Sequence, residues 1–195
     1  MRRKQESAID LVERSRRGDA SAFDALVTPM VERLHGAALR MLRDVDAADD
    51  ATQDALVSAW RRLPKLRQVD RFEPWLWRIL VRSCYAESDR RRRSRDRIQT
   101  LTPGLRERGD PFGDVDQRDA LERAFERLPE EQRSVLVLRH YLGMSSEEVA
   151  EILGIRPTTA RTRLHYAHRA IRAALDADSR STPALGPTRN LGAAR

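Results

Sequence analysis

The stretch from Leu128 to Leu175 constrains the fold of this chain most. Ser145 and Glu148 have the spacing of a capping box, in which each residue's side chain bonds the other's backbone amide at a helix start. Gly154 suits the left-handed position that ends a helix, and Pro157 suits the first turn of the next one. These signals predict a helix, a turn, a short helix and a final helix, which is a helix-turn-helix.

The final helix is strongly basic. Five arginines and no acid lie between residues 156 and 173. Apolar residues at helical spacing are predicted to face inward, and these are Ala160, Leu164, Ala167 and Ile171. The remaining positions face outward, where arginines can bond guanine in the major groove or neutralise phosphates. The outward set is Thr158, Thr159, Arg161, Thr162, Arg163, His165, Tyr166, His168 and Arg169. DNA readout is favoured over the alternative, a solvated basic face.

The composition of the whole chain limits which class of protein this can be. The chain has 195 residues, of which 40% are hydrophobic and 34% charged, and its net charge is +7. A basic balance favours a polyanionic partner. Cys84 is the sole cysteine, which excludes a disulfide within the chain and disfavours a cysteine-based zinc site. Neither an apolar signal segment nor a run long enough for a membrane span is found, so we expect a cytoplasmic protein without membrane association.

Helical periodicity runs through nearly the whole chain, and no β alternation is convincing, so the predicted fold class is all-α. The predicted organisation is an N-terminal helical domain over 1–93, a flexible linker over 94–118, a helix-turn-helix domain over 119–176 and a disordered tail over 177–195. Pro29 falls within one helical pattern and predicts a kink or a break there. Another helix is expected from Asp46 to Leu63, and one from Phe72 to the arginines at 90–93.

An acidic patch stands out in the N-terminal domain. Five aspartates lie between residues 44 and 54, with no lysine or arginine among them. Asp50, Gln53, Asp54 and Val57 share one helical face. Since acid repels DNA, this face is expected to bind a basic protein surface. The alternative, acids that complement a helix dipole, remains open. A metal site is disfavoured because the spacing matches no known loop.

The helix from Phe72 interleaves aromatic and basic residues, which suits unstacked bases and a phosphate backbone. Trp75 lies one turn from Ile79 and is predicted to be a core residue, whereas Trp77 is left open between the core and DNA. An enzyme is not favoured. The four histidines and Cys84 form no triad or metal spacing, and no glycine-rich phosphate loop occurs. His165 and His168, one turn apart, could pair on a metal, but their basic surroundings argue against it. No cofactor is expected.

Taken in order, the motifs match a known family. DVDAADDATQDALVSAW is followed by FEPWLWRI, then by LPEEQRSVLVLRHYLGMSSEEVAEILGI and the arginine-rich helix. This order resembles the extracytoplasmic-function (ECF) sigma factors, group 4 of the sigma-70 family of bacterial transcription initiation factors. The resemblance covers about Leu11 to Leu175. It implies a sigma-2-like domain, a sigma-4-like domain and a non-enzymatic role in directing core RNA polymerase to promoters.

The resemblance also implies roles for residues. Asp50, Gln53, Asp54 and Val57 would dock on the clamp helices of the largest polymerase subunit, and the C-terminal domain on the β flap. The −10 element would be read as separated strand by Lys65, Arg67, Arg71, Phe72, Arg78 and Arg82. The −35 element would be read as duplex by Thr158, Thr159, Arg161, Thr162, Arg163, His165, Tyr166 and Arg169. An anti-sigma factor is a further implied partner. Arg82 departs from the asparagine that many members carry there.

A different class of protein also fits part of the sequence. A stand-alone helix-turn-helix regulator would have the same C-terminal domain, joined to a domain for dimerisation or ligand binding. The N-terminal half argues against it, because a dimerisation domain has no need for an acidic face followed by a tryptophan- and arginine-rich helix. A regulator would bind duplex DNA alone as a dimer, whereas a sigma factor would require polymerase.

Overall fold

The computed structural model describes residues 7–101 and 117–181, and within these ranges the chain forms helices and no strands. The N-terminal half contains α1 (Ala8–Arg16), α2 (Ala20–Leu42), α3 (Val45–Arg62) and α4 (Phe72–Leu101). The C-terminal half contains α5 (Gln117–Glu126), α6 (Glu130–Leu136), α7 (Ser146–Leu153) and α8 (Pro157–Ser181). Short 3-10 turns at Leu63–Lys65 and Val69–Arg71 lead into α4, and a π-helical turn at Val137–Tyr141 continues α6. The predicted all-α fold is confirmed.

Aspartates begin two of the N-terminal helices. The Asp19 carboxylate accepts the Ala22 amide at 3.1 Å and the Arg14 guanidinium at 2.6 Å. These bonds, the Arg14 bond first, lower the pKa of Asp19 to about 2. Asp44 accepts the Ala47 amide at 2.9 Å and begins α3. Each carboxylate thereby satisfies an amide that has no partner within its own helix.

Alanine sets the spacing of the N-terminal bundle. The buried face of α3 consists mainly of Ala47, Ala48, Ala51, Ala55 and Ala59. Such small side chains let α2 and α4 pack closely on either side of α3. Leu56 and Trp60, predicted to lie on its apolar side, are half-buried against the core.

Two helices end later than predicted, and the break that was one of the two outcomes predicted at Pro29 is absent. Helix α2 continues through Pro29 without a break, because Pro29 is exposed and the carbonyl it leaves without a partner lies on the outer side of the helix. Helix α4 continues to Leu101, eight residues past the predicted boundary at 93. Helix α8 continues to Ser181, past the predicted boundary at 176. The rest of the predicted linker (102–116) and tail (182–195) lies outside the described residues.

The two halves pack against each other. One hydrophobic core contains residues from α1 to α4 together with Val135, Val137, Leu138, Val149, Ala150, Ile152 and Ala160 from the C-terminal half. A smaller cluster of Leu128, Leu136 and Ala167 closes the C-terminal half between α5, α6 and α8. The arrangement is therefore closed, with the helix-turn-helix resting on α2 and α4.

Candidate nucleic-acid and polymerase interface

The helix-turn-helix has the local geometry that its sequence predicts. The Glu148 amide donates to Ser145 Oγ at 3.1 Å, and the Ser145 amide donates to Glu148 Oε2 at 2.7 Å. Gly154 ends α7 with φ of 67°, in the left-handed region. Pro157 is the first residue of α8. The capping box, the glycine end and the proline start are all confirmed.

Helix α8 presents one buried side and one basic side. Ala160 and Ala167 are buried, and Leu164 and Ile171 are half-buried against the core clusters. On the outer side, the exposed residues of the predicted −35 set are Thr158, Arg161, Thr162, His165, Tyr166 and Arg169, and Thr159 and Arg163 are half-buried. The six exposed side chains therefore lie on the outer side of a single helix, and Thr159 and Arg163 lie at the edge of that side.

Two contacts at α8 were not expected from the sequence. Arg161 forms an ion pair with Glu147 of α7, so an acid of the helix-turn-helix itself neutralises one predicted DNA contact. His168 Nε2 lies 2.9 Å from Nε2 of His140. The sequence disfavoured a metal-binding pair of His165 and His168, and the observed partner of His168 is His140. Burial, reinforced by the nearby charges of His140, Arg172 and His165, lowers the pKa of His168.

The predicted polymerase-docking face is exposed. Asp50, Gln53, Asp54 and Val57 all lie on the outer side of α3, and Val57 keeps 40% of its surface accessible. Beside them is a shallow, mostly apolar groove of about 340 Å³, lined by α2 and α3 residues including Val31, His35 and Leu56. The face is acidic, but its centre is apolar.

Two parts of this face were not identified from the sequence. Val31 and His35 belong to α2, one helical turn apart, and only the packing of α2 on α3 brings them to the groove. His35 Nε2 lies 2.9 Å from an Asp49 carboxylate oxygen across the two helices. The i, i+4 spacing of Val31 and His35 was the available sequence signal, but it does not specify a partner helix.

The predicted −10 residues divide between surface and core. Lys65, Arg67, Arg71 and Arg82 are exposed, and Arg78 is half-buried. Phe72 is 5% exposed and packs with its ring centroid 5.8 Å from that of Trp75. In this arrangement Phe72 holds the start of α4 and offers no free face for a base.

The two tryptophans of α4, Trp75 and Trp77, differ in exposure. Trp77, left open by the sequence, is completely buried, and its indole N–H donates to Glu73 at 3.3 Å. Trp75, predicted to be a core residue, is half-buried. It packs on the core but also lines an open pocket of about 330 Å³ with Arg67, Arg71 and Arg78. An aromatic ring among arginines is the arrangement suited to an unstacked base, and here Trp75 supplies it.

The four arginines at 90–93, in the second half of α4, are partly neutralised by acidic side chains of the protein itself. Arg90 and Arg91 both bond the buried carboxylate of Glu87, at 2.6 and 2.9 Å. Arg91 also reaches Asp44 at 2.6 Å, and Arg90 lies 3.4 Å from Asp54. Two of the four arginines thus tie α4 to α3. Arg92 and Arg93 are exposed.

The described residues show no arrangement for catalysis by a metal. Within 7–101 and 117–181, no three His, Cys, Asp or Glu side chains cluster as metal ligands would. Nor does any helix in these ranges have the length and apolar character needed to cross a membrane. Cys84 is fully buried, and burial raises the pKa of its thiol to about 12, so it is an unreactive core residue at neutral pH.

The fold and these surfaces define a class, helical proteins that bind DNA through a helix-turn-helix. Comparisons with known proteins identify the family within this class. The family model Sigma-70 region 2 matches residues 26–96, and the model Sigma-70, region 4 matches residues 118–171. The RNA polymerase sigma-H factor of Pseudomonas aeruginosa is 33% identical over 183 residues, spanning 88% of this chain and 95% of the relative.

Other relatives agree. The ECF RNA polymerase sigma factor SigM of Mycobacterium tuberculosis is 33% identical over 161 residues, which cover 83% of this chain and 81% of SigM. The ECF sigma-E factor of Escherichia coli is 31% identical over 175 residues, which cover 83% and 90%. Among solved structures, CnrH in complex with the cytosolic domain of CnrY matches with a TM-score of 0.64 and 27% identity, over 89% of this chain and 99% of CnrH. The chain belongs to the ECF sigma factors of the sigma-70 family, which direct RNA polymerase to promoters.

Proposed function

We propose that this sigma factor binds core polymerase through the α3 face formed by Asp50, Gln53, Asp54 and Val57. The observation that carries the proposal is the composition of that face, which is exposed, acidic and adjacent to an apolar groove. DNA would be repelled there, whereas a basic helical surface of a protein would find both charge and apolar contact. The clamp helices of the largest polymerase subunit are the proposed partner, and the β flap is proposed for the C-terminal half.

Promoter reading is assigned to two other surfaces. The region of Lys65, Arg67, Arg71, Arg78 and Arg82, with Trp75 among them, would read the −10 element as single strand. The outer side of α8 would read the −35 element as duplex, with its arginines divided between base edges and phosphates. The proposal is supported by the exposure of most of these cations. Lys65, Arg67 and Arg71 lie in the segment that leads into α4, Arg78 and Arg82 on α4 itself, and the −35 cations on α8.

Three further points complete the proposal, and they concern catalysis, location in the cell and regulation. The chain performs no catalysis itself, because the polymerase carries out the chemistry. It acts in the cytoplasm, where the polymerase is. An anti-sigma factor is proposed to regulate it, and the similar protein CnrH has been solved in complex with a protein partner, the cytosolic domain of CnrY. Co-purification of the tagged chain from its native cells would test the last point, and recovery of the chain without such a partner would contradict it.

Run-off transcription tests the whole proposal. Core polymerase, fragmented genomic template and the purified chain should together give discrete new start sites. Their upstream sequences would show the −10 and −35 elements directly. Tight binding of a dimer of this chain to duplex DNA, with no new transcripts, would instead support the stand-alone regulator.

Replacing Asp50 with Arg tests the docking face. The substitution puts a cation where a basic partner is expected, and we expect affinity for core polymerase to fall by about tenfold or more. Asp50 is preferred to Asp54, because Asp54 also lies 3.4 Å from Arg90. The measurement is fluorescence anisotropy of labelled chain titrated with core polymerase.

Asp24→Arg is the matched control, since it makes the same charge change at an exposed position of α2. It should leave affinity near that of the wild type. Circular dichroism should show unchanged helicity for both variants. Wild-type affinity of the Asp50→Arg variant would exclude this face as the docking surface.

A further inference from the structure

One acid of the helix-turn-helix holds two of the cations that the proposed function assigns to the −10 element. Glu151 Oε1 on α7 lies 2.5 Å from Arg71 Nη2. Arg78 Nη2 donates to the main-chain oxygen of Glu151 at 3.0 Å and lies 3.7 Å from its carboxylate. Arginine binds carboxylate and phosphate with the same planar fork. The Glu151 carboxylate therefore occupies the place that a DNA phosphate would take.

Other contacts hold the two halves in the same closed position. Tyr141 of the π-helical turn lies so close to α2 that a Cβ on Gly36 would clash with its hydroxyl. The Arg40 guanidinium stacks over the Tyr141 ring at 3.9 Å. The Tyr85 and Ser134 hydroxyls bond at 2.7 Å between α4 and α6. These contacts also join the two halves, and Glu151 is the residue that occupies the −10 arginines Arg71 and Arg78.

The closed arrangement does not fit a promoter. The −10 and −35 elements are about 25 base pairs apart, which corresponds to about 85 Å of B-form DNA at 3.4 Å per pair. Here Arg71 and Glu151 touch, which places the −10 surface and the helix-turn-helix side by side. Simultaneous reading of both elements requires the halves to separate. Separation breaks the Glu151 contacts and exposes Arg71 and Arg78 together.

We propose that Glu151 is an intramolecular latch that keeps the free chain closed and its −10 surface occupied until polymerase binds. The proposal rests on the proposed function of the −10 arginines. Polymerase can bind the closed chain because the proposed docking face on α3 is exposed, and the proposed contact of the C-terminal half with the β flap favours the open state. The free chain then has little affinity for promoter DNA. A binding site that is available only in a minor open state loses apparent affinity in proportion to the open fraction.

Small-angle X-ray scattering of the free chain tests the latch without DNA. Glu151→Gln keeps the shape of the side chain and removes its charge, so the radius of gyration should increase relative to wild type. Gly36→Ala should also separate the two halves, because its new methyl group displaces Tyr141. Alanine is also a better helix former than glycine, so α2 itself should not be weakened. Glu147→Gln is the control, since Glu147 lies on the same helix and pairs with Arg161 inside its own half. It should scatter like wild type.

DNA binding tests the inhibitory role. The probe is a fluorescein-labelled 12-nucleotide single strand of mixed sequence, followed by anisotropy at low salt. Glu151→Gln should bind it several-fold more tightly than wild type, and Asp24→Asn, with the same charge change on α2, should not. The gain should vanish when Arg71 and Arg78 are both replaced by Gln, because the latch acts only through these cations.

The outcomes separate the latch from the proposed function. Wild-type scattering from both Glu151→Gln and Gly36→Ala would overturn the latch, and so would opening without tighter binding of the single strand. The −10 assignment is tested separately by run-off transcription, where replacement of Arg71 and Arg78 should abolish promoter-specific starts. Loss of transcription in that variant together with wild-type scattering from both Glu151→Gln and Gly36→Ala would retain the proposed function and reject the latch.

Discussion

Single side chains at the helix ends specify much of this structure. Asp44 begins α3 by accepting the Ala47 amide and also receives Arg91 from α4, and these two bonds, the amide first, lower its pKa. One carboxylate thus serves a local and a tertiary role. Ser145 serves only a local one, in the capping box of α7. The difference matters for prediction, because the amide contacts can be inferred from sequence and the Arg91 contact cannot.

Ser145→Ala should destabilise the protein by about 1 kcal/mol, because the Glu148 amide loses its acceptor at the start of α7. Urea unfolding followed by circular dichroism measures the change. Ser146→Ala is the control, since Ser146 is the first residue within the helix and supplies no cap. An equal loss from the two substitutions would show that the cap contributes nothing of its own.

His168 gives the fold a dependence on pH. Its pKa is lowered in the folded protein, mainly by burial, so the unfolded chain binds this proton more readily, with an ordinary pKa of about 6.5. The contribution is therefore complete above pH 6.5 and is lost as the pH falls below it. Protonation of His168 also places a charged ring beside His140, whose Nε2 lies 2.9 Å from His168 Nε2.

We therefore expect the melting temperature to fall between pH 7.5 and pH 5.5, and to fall less in His168→Gln. Gln keeps a polar group near His140 but does not titrate. Differential scanning calorimetry at a series of pH values gives the comparison. His165→Gln, at an exposed position one turn earlier, should retain the wild-type slope. A slope for His168→Gln equal to that of the wild type would contradict the assignment.

At the scale of elements, helix packing overrides local preference. Pro29 interrupts the hydrogen bonding of α2, yet the helix continues from Ala20 to Leu42 because its inner side packs on the core over its whole length. Buried residues on both sides of the proline, including Leu26, Val27 and Leu34, keep the two segments aligned. Tertiary burial thus compensates for a residue that would end an isolated helix.

Pro29→Ala should stabilise the protein by about 1–3 kcal/mol, since alanine restores an amide donor in the middle of a helix. The site is exposed, so no packing is lost. Chemical unfolding with a fixed m-value provides the measurement. Thr28→Ala, at the exposed neighbouring position, should change stability much less. Destabilisation by Pro29→Ala would mean that the proline ring, despite its exposure, holds α2 in a bend the bundle needs.

At the scale of the whole molecule, contacts between distant parts of the chain join the two halves. Arg43 bonds Glu122 at 3.2 Å and Glu126 at 3.1 Å, linking the end of α2 to α5. Within the C-terminal half, Arg123 donates to Asp178 at 3.0 Å and anchors the end of α8 to α5. The last turns of α8 are therefore part of the folded structure, beyond the predicted end of the domain at 176.

Truncation after Ser181 should leave run-off transcription and the melting temperature unchanged. Truncation after Asp176 removes the partner of Arg123 and should lower stability by up to about 1 kcal/mol, the range of a partly exposed ion pair. Transcription assays and calorimetry on both forms provide the test. If the shorter form melts at the wild-type temperature, the Arg123–Asp178 pair does not stabilise α8.

Local chemistry explains why so much of this protein was predictable. The capping box at Ser145, the glycine at 154 and the proline at 157 act within one helical turn, so sequence alone determined the helix-turn-helix and the outward side of α8. The shared face of Asp50 and Val57 follows from helical periodicity in the same way. The tertiary structure decided the rest, because burial depends on which helices meet. It placed Trp77 in the core and Trp75 in the pocket with Arg67, Arg71 and Arg78. It also buried Phe72 and brought Glu151 to Arg71 across eighty residues of sequence.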